Sequence, residues 1–154
     1  MKFQTTRFGE IEVADSSVIT FTRGIPGFDE YQKYVLVPAD AKEESPFFFL
    51  QSIEAEEVSF FLVDPFTFFK EYDVKLADQM VERLELEDPS DAIVLTTVTV
   101  PVPGEITSAT ANLKAPLIIN NKKQLGMQIV LDNKTYQIKQ PLFQSSEPAA
   151  PRQV

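Results

Sequence analysis

Two short runs, Phe47-Phe48-Phe49-Leu50 and Phe60-Phe61-Leu62-Val63, constrain this chain more than any other feature. Neither contains a polar residue, whereas a strand with one wet face alternates apolar and polar side chains at period two. Strands of this kind need cover on both faces, which places them at the centre of a closed or sandwiched sheet. Eleven prolines and repeated β-branched and aromatic stretches indicate many short strands separated by turns. The expected fold class is mainly β: a single-domain antiparallel sheet, closed into a barrel or sandwiched, with one or two short helices. With 154 residues, 44% of them hydrophobic, the chain has enough apolar side chains to fill such a core without disulfide or metal staples. The domain is expected over residues 1–143, followed by a disordered tail over 144–154, where Pro, Ala, Ser and Gln leave almost nothing to bury.

Local patterns place the elements. Lys2 to Thr6, Glu10 to Ala14 and Val18 to Thr22 read as short strands, and the glycines around Pro26 make Arg23 to Phe28 a loop. Asp29 to Lys33 suggests one helical turn before a strand from Tyr34 to Pro38. Leu76, Ala77, Met80, Val81 and Leu84 recur at the spacing of one helix face. From Ala92 to Val102 a strand sets Val94, Thr96, Val98 and Val100 against Leu95, Thr97 and Thr99. Two hairpins are predicted after Leu117, turning at Asn120 to Lys123 and at Asp132 to Lys134, with Tyr136 to Lys139 completing the second.

Composition removes most catalytic chemistries. The chain has no cysteine and no histidine, which excludes disulfides, thiolate catalysis, Cys/His zinc sites, Ser-His-Asp hydrolysis and an imidazole switch. No EF-hand loop, Gly-x-Gly-x-x-Gly run or Gly-Lys-Ser/Thr is present, so no cofactor is expected. An enzyme would have to use carboxylates, for example a pair drawn from Asp64, Glu71 and Asp73. That reading, or a small-molecule-binding β-barrel, stands as the alternative to a protein-binding role. With no basic start before an apolar run and no apolar stretch near the ~18 residues of a membrane span, the chain reads as soluble and intracellular.

Charge is more informative. The net charge is -9, which disfavours phosphate backbones and hence direct nucleic-acid binding. From Asp40 to Asp91 there are 15 acidic and 4 basic residues, so the excess lies in the middle third, where it can steer a basic partner. Eight of the 13 phenylalanines fall between Phe47 and Phe69, and Phe66, Phe68, Phe69 and Tyr72 follow Asp64-Pro65, where a strand should have stopped. They either cap one end of the core or line an apolar groove rimmed by Asp64, Glu71 and Asp73. The candidate partner-binding residues are Glu43, Glu44, Glu56, Glu57, Asp64, Phe66, Phe68, Phe69, Glu71 and Tyr72.

Five pieces of sequence, in this order and spacing, resemble the FliW family of bacterial flagellar assembly factors: Gly24-Ile25-Pro26-Gly27-Phe28, Leu50-Gln51-Ser52, Val63-Asp64-Pro65-Phe66, Asn112 to Pro116 with Ile118-Ile119-Asn120, and Gln128 to Leu131. The similarity runs to about Tyr136, and none of these motifs is catalytic. The resemblance implies a cytoplasmic β-barrel-like binding protein with two mutually exclusive partners. One is flagellin before export; the other is CsrA, a small basic RNA-binding dimer that represses flagellin translation. Free of flagellin, such a protein captures CsrA away from its RNA site and relieves the repression. The family supplies no compact contact motif that transfers residue by residue, so the candidate site residues rest on charge and aromatic clustering alone.

Overall fold

The computed structural model describes residues 1–39, 45–132 and 134–143. Among the described residues eleven strands form: β1 (Lys2–Thr5), β2 (Gly9–Glu12), β3 (Ile19–Phe21), β4 (Lys33–Pro38), β5 (Phe47–Ser52), β6 (Ser59–Val63), β7 (Ala92–Thr99), β8 (Thr110–Ala111), β9 (Leu117–Asn120), β10 (Leu125–Gln128) and β11 (Gln140–Pro141). Two short helices, α1 (Pro65–Phe68) and α2 (Asp78–Arg83), lie between β6 and β7. Seven strands, in the order β7-β6-β5-β4-β3-β10-β9, close into a barrel because β9 pairs back onto β7, Ala92 facing Asn120 through to Leu95 facing Leu117. All the neighbours in that ring are antiparallel except β3 and β10, which run parallel with Gly126 opposite Phe21. The expected antiparallel barrel-like fold is present, with this one parallel seam in it. Closure leaves no long free edge around most of the ring.

Alternation along each strand divides the apolar side chains between two cores. Ile19, Phe21, Tyr34, Leu50, Leu62, Leu95, Leu117 and Ile119 pack together with no helix residue among them, as expected of a lumen. Each is at most 4% exposed, and fully burying such a side chain stabilises the fold by roughly 1.5–3 kcal/mol. The other face of the same strands, with Val63, Val98, Ile118 and Met127, packs against Tyr72, Met80 and Leu84 and forms the outer core. On β7 this places Ile93 and Leu95 inside and Val94 and Val98 outside, the division predicted from the sequence. The predicted cover of the two phenylalanine runs is incomplete: Phe47, Phe48, Phe49, Phe60 and Phe61 are all half-buried, while Leu50, Leu62 and Val63 are buried. On the outer wall the rings cover one another instead, Phe8 on Phe49, Phe49 on Phe61, Phe61 on Phe47 and Phe47 on Phe68, at 5.0–5.8 Å between centroids.

Several local expectations are overturned. Asp29 to Lys33 forms no helix; a turn closed by the Tyr31 N–H donating to the Phe28 carbonyl leads directly into β4. The helix near Leu76 is only six residues, and Leu76 and Ala77 precede it. β7 ends at Thr99, short of Val102. The first predicted hairpin is present as β9 and β10, but Tyr136 to Lys139 form no strand. The Ile129 and Leu131 N–H groups donate to Pro116 and Lys114, and the Leu113 N–H to Gln137, so the chain after β10 is tied to the 113–116 segment. The second turn includes Asn133, and the tail expected over 144–154 also lies outside the described residues.

Candidate functional site

Proline 65 dictates how the chain leaves β6. It has no N–H to continue a ladder and fits the first helical position, while Asp64, in extended backbone, accepts a hydrogen bond from the Phe66 N–H at 3.0 Å. This cap starts the single turn of α1, after which Phe69 N–H donates to Pro65 and Tyr72 N–H to Phe69. The result is a compact coil lying on the outer wall. Phe68 touches Phe47 at 5.8 Å and Phe143 at 5.5 Å, so it is held by the barrel and by the end of the described chain.

Tyr72 fixes the other side. Its hydroxyl donates to the Leu113 carbonyl at 2.7 Å, and its ring meets Tyr136 edge-on at 4.8 Å. Burial, with a smaller contribution from the neighbouring Tyr136 phenol, pushes the Tyr72 hydroxyl far above its usual range, so it serves as a neutral donor. The Tyr136 hydroxyl in turn accepts from the Asp73 N–H at 2.9 Å. Between these anchors lies a cleft of about 720 Å³, with Phe68, Phe69 and Tyr72 on one side, Leu113 and Tyr136 on the other, and Lys70 and Glu71 at its mouth. A second hollow of about 470 Å³, lined by Asp73, Lys75, Leu131 and Asp132, lies on the far side of Tyr136.

The candidate residues fall into separate groups. Phe68, Phe69, Glu71 and Tyr72 meet at the cleft, and Phe66, 41% exposed, leans on Tyr72 at 5.7 Å. Tyr72 is 5% exposed and belongs to the core, whereas Phe68 and Phe69 are half-buried and line the cleft. Asp64 caps α1 with its carboxylate and does not line the cleft. Asp73 belongs to the second hollow. Glu56 and Glu57 are exposed in the turn before β6, so roughly 17 Å of strand separates them from Asp64 at its end, where α1 begins. Glu43 and Glu44 lie outside the described residues. Tyr136 and Leu113 are the contributors that sequence reasoning missed, since the alternation at Tyr136 reads equally well as a strand. Glu54, in the same acidic stretch, is occupied in accepting the Gln32 and Lys33 N–H groups at 2.7 and 3.0 Å.

The barrel lumen is filled by the side chains named above, and among the described residues no three acidic groups gather as metal ligands would. No helix of the described residues is long and apolar enough to cross a membrane.

Comparison with known proteins agrees with this architecture. The family model described as FliW protein matches residues 2–142. The flagellar assembly factor FliW of Natranaerobius thermophilus is 42% identical over 143 residues, covering 93% of each chain. That of Clostridium novyi is 43% identical over 143 residues, covering 93% of this chain and 97% of its own. A crystal structure of the flagellar assembly factor FliW superposes with a TM-score of 0.85 at 34% identity, covering 96% of this chain and all of that one. Matched in sequence from its first strand to its last and in the course of its barrel, the chain belongs to the FliW family of flagellar assembly factors.

Proposed function

We propose that this flagellar assembly factor is a cytoplasmic partner-switch regulator: it binds flagellin and, when free of it, binds and antagonises CsrA. The observation that carries the reading is the cleft between Phe68, Phe69, Tyr72 and Tyr136, part of whose lining comes from the acidic 40–91 stretch of a chain of net charge -9. Amphipathic terminal segments of unassembled flagellin lack their filament partners, and a cleft lined by Phe68, Phe69, Tyr72 and Tyr136 suits an apolar anchor from such a segment. The acidic excess favours fast encounter with a basic dimer, while buried anchors determine how long a complex lasts. The function is one of holding proteins, with no bond made or broken.

The test is reconstitution. The pure protein mixed with CsrA at low salt should elute as a complex, and added flagellin should displace CsrA. If the two exclude each other, CsrA must weaken flagellin binding by the same factor that flagellin weakens CsrA binding. Failure to associate with either partner at low salt refutes the reading.

A further inference from the structure

The barrel has a weak point in its closure, where β3 meets β10. The parallel pairing of β3 with β10 covers only Leu125 and Gly126, because β3 ends at Phe21 and the chain turns away. Gly24 enforces that turn: its φ is +68°, and a Cβ there would stand 2.8 Å from the Asp29 backbone. β10 and its continuation run on past the point where their neighbour has left. Ile129 and Leu131 direct their N–H groups to Pro116 and Lys114, so the alternation of an extended chain turns the Gln128 and Val130 N–H groups to the opposite, vacated side. Among the described residues the Val130 N–H has no hydrogen-bond partner, and Val130 is 69% exposed, more than any other large hydrophobic side chain described.

The vacated edge borders a hollow of about 330 Å³ between the Gly24 loop and α2. Its apolar lining comes from Met80, Met127, Ile129 and Val130, and its charged groups are Arg23 and Arg83, with no Asp or Glu lining it. Neither arginine is in an ion pair among the described residues. In a chain with 23 acidic residues, two guanidinium groups beside an apolar floor and an open strand edge are an island of opposite sign. Guanidinium recognises carboxylate through paired, charge-assisted hydrogen bonds, and an open edge recognises extended backbone.

We propose that the edge formed by the end of β10 and its continuation, from Gln128 to Val130, is a strand-addition site for an extended segment of a partner protein that carries an Asp or Glu beside an apolar side chain. The added strand pairs with the Gln128 and Val130 backbone, seats the apolar side chain on Met80, Met127 and Ile129, and presents the carboxylate to Arg23 and Arg83. The site shares no lining residue with the aromatic cleft and goes beyond the partner-switch reading.

The test is selection from a display library of random short peptides, tethered through their C-termini so that only side-chain carboxylates are offered to the full chain. Enriched sequences should alternate apolar residues with Asp or Glu. Their affinity should fall about tenfold or more in Arg83→Glu, through loss of the ion pair, and in Val130→Pro, through loss of the edge donor. Thermal melts should match the wild type; if Val130→Pro melts early, the exposed Arg23→Glu serves as the second variant. Absence of enrichment, enrichment of basic peptides, or affinity indifferent to these variants would overturn the proposal. CsrA and flagellin binding are not read in this assay, so either proposal can fail without the other.

Discussion

The parallel seam makes the barrel sensitive to one methyl group. Gly126 lies opposite Phe21, and a Cβ built on it would meet three atoms of the Phe21 ring at 2.6, 2.7 and 2.9 Å, closer than carbon atoms tolerate. Phe21 is fully buried and stands edge-on to Tyr34 at 5.4 Å, so the ring cannot swing clear without disturbing a second buried aromatic. Overpacking of this kind costs about 1–3 kcal/mol, and three simultaneous clashes put Gly126→Ala toward the upper end. Alanine also reduces the entropy of the unfolded chain by about 0.4–1 kcal/mol, which offsets part of the loss. A net destabilisation of about 2 kcal/mol follows, read as a lower urea midpoint at unchanged slope and, for a chain of this size, a melting temperature lower by about 4–8 °C. Phe21→Leu alone should also destabilise, by leaving a cavity in the lumen. Because the two changes relieve each other, the double variant should be more stable than the sum of the singles by about 1 kcal/mol or more. An unchanged midpoint in Gly126→Ala, or strict additivity in the double variant, would refute steric exclusion at this seam as the reason for glycine.

Alkaline stability should respond to Tyr34, whose hydroxyl is pushed up to about 12 by burial first and then by the nearby Glu54 and Tyr31. The unfolded phenol ionises near pH 10, so the neutral hydroxyl's contribution is complete below about pH 10 and is lost as pH rises towards about 12. Tyr34→Phe should lessen the fall of melting temperature across that window, with Tyr72 accounting for what remains; an identical pH profile would remove Tyr34 from the account. Phe68→Ala should cost about 2 kcal/mol, since the side chain is only half-buried, and should weaken flagellin binding in protein that remains folded. Full flagellin affinity in a folded variant would move the dock elsewhere. Charge reversal at Glu56 with Glu57, or at Glu71, should slow CsrA association and flatten its salt dependence while leaving the dissociation rate nearly unchanged, as stopped-flow at two ionic strengths would measure. Unchanged association rates would eliminate steering.

Much of the barrel was legible because its strongest signals are local. The phenylalanine runs, the Asn120 to Lys123 turn and the alternation of Val94, Leu95 and Val98 each report burial or backbone geometry within a few residues. The cleft was legible on one side only. Phe66 to Tyr72 drew notice by clustering after Asp64-Pro65, but the opposing wall comes from Leu113 and Tyr136, brought there by hydrogen bonds spanning 41 and 63 residues. Nothing near Tyr136 in sequence distinguishes a strand residue from one that meets Tyr72 edge-on. The acidic residues were grouped by proximity along the chain, yet β6 carries Glu57 and Asp64 to opposite ends of the barrel wall.

The amino-acid sequence alone determined that this is a mainly β, histidine-free and cysteine-free acidic chain, because composition and period-two patterning act residue by residue. It also carried the ordered motifs of its family. Closure of β9 onto β7, the parallel register of β3 with β10, the pairing of Tyr72 with Tyr136 and the vacated edge at Val130 were decided only in three dimensions. Each depends on which distant segments a packed core brings together, and that follows from the simultaneous filling of a common volume, which no single stretch of the chain encodes.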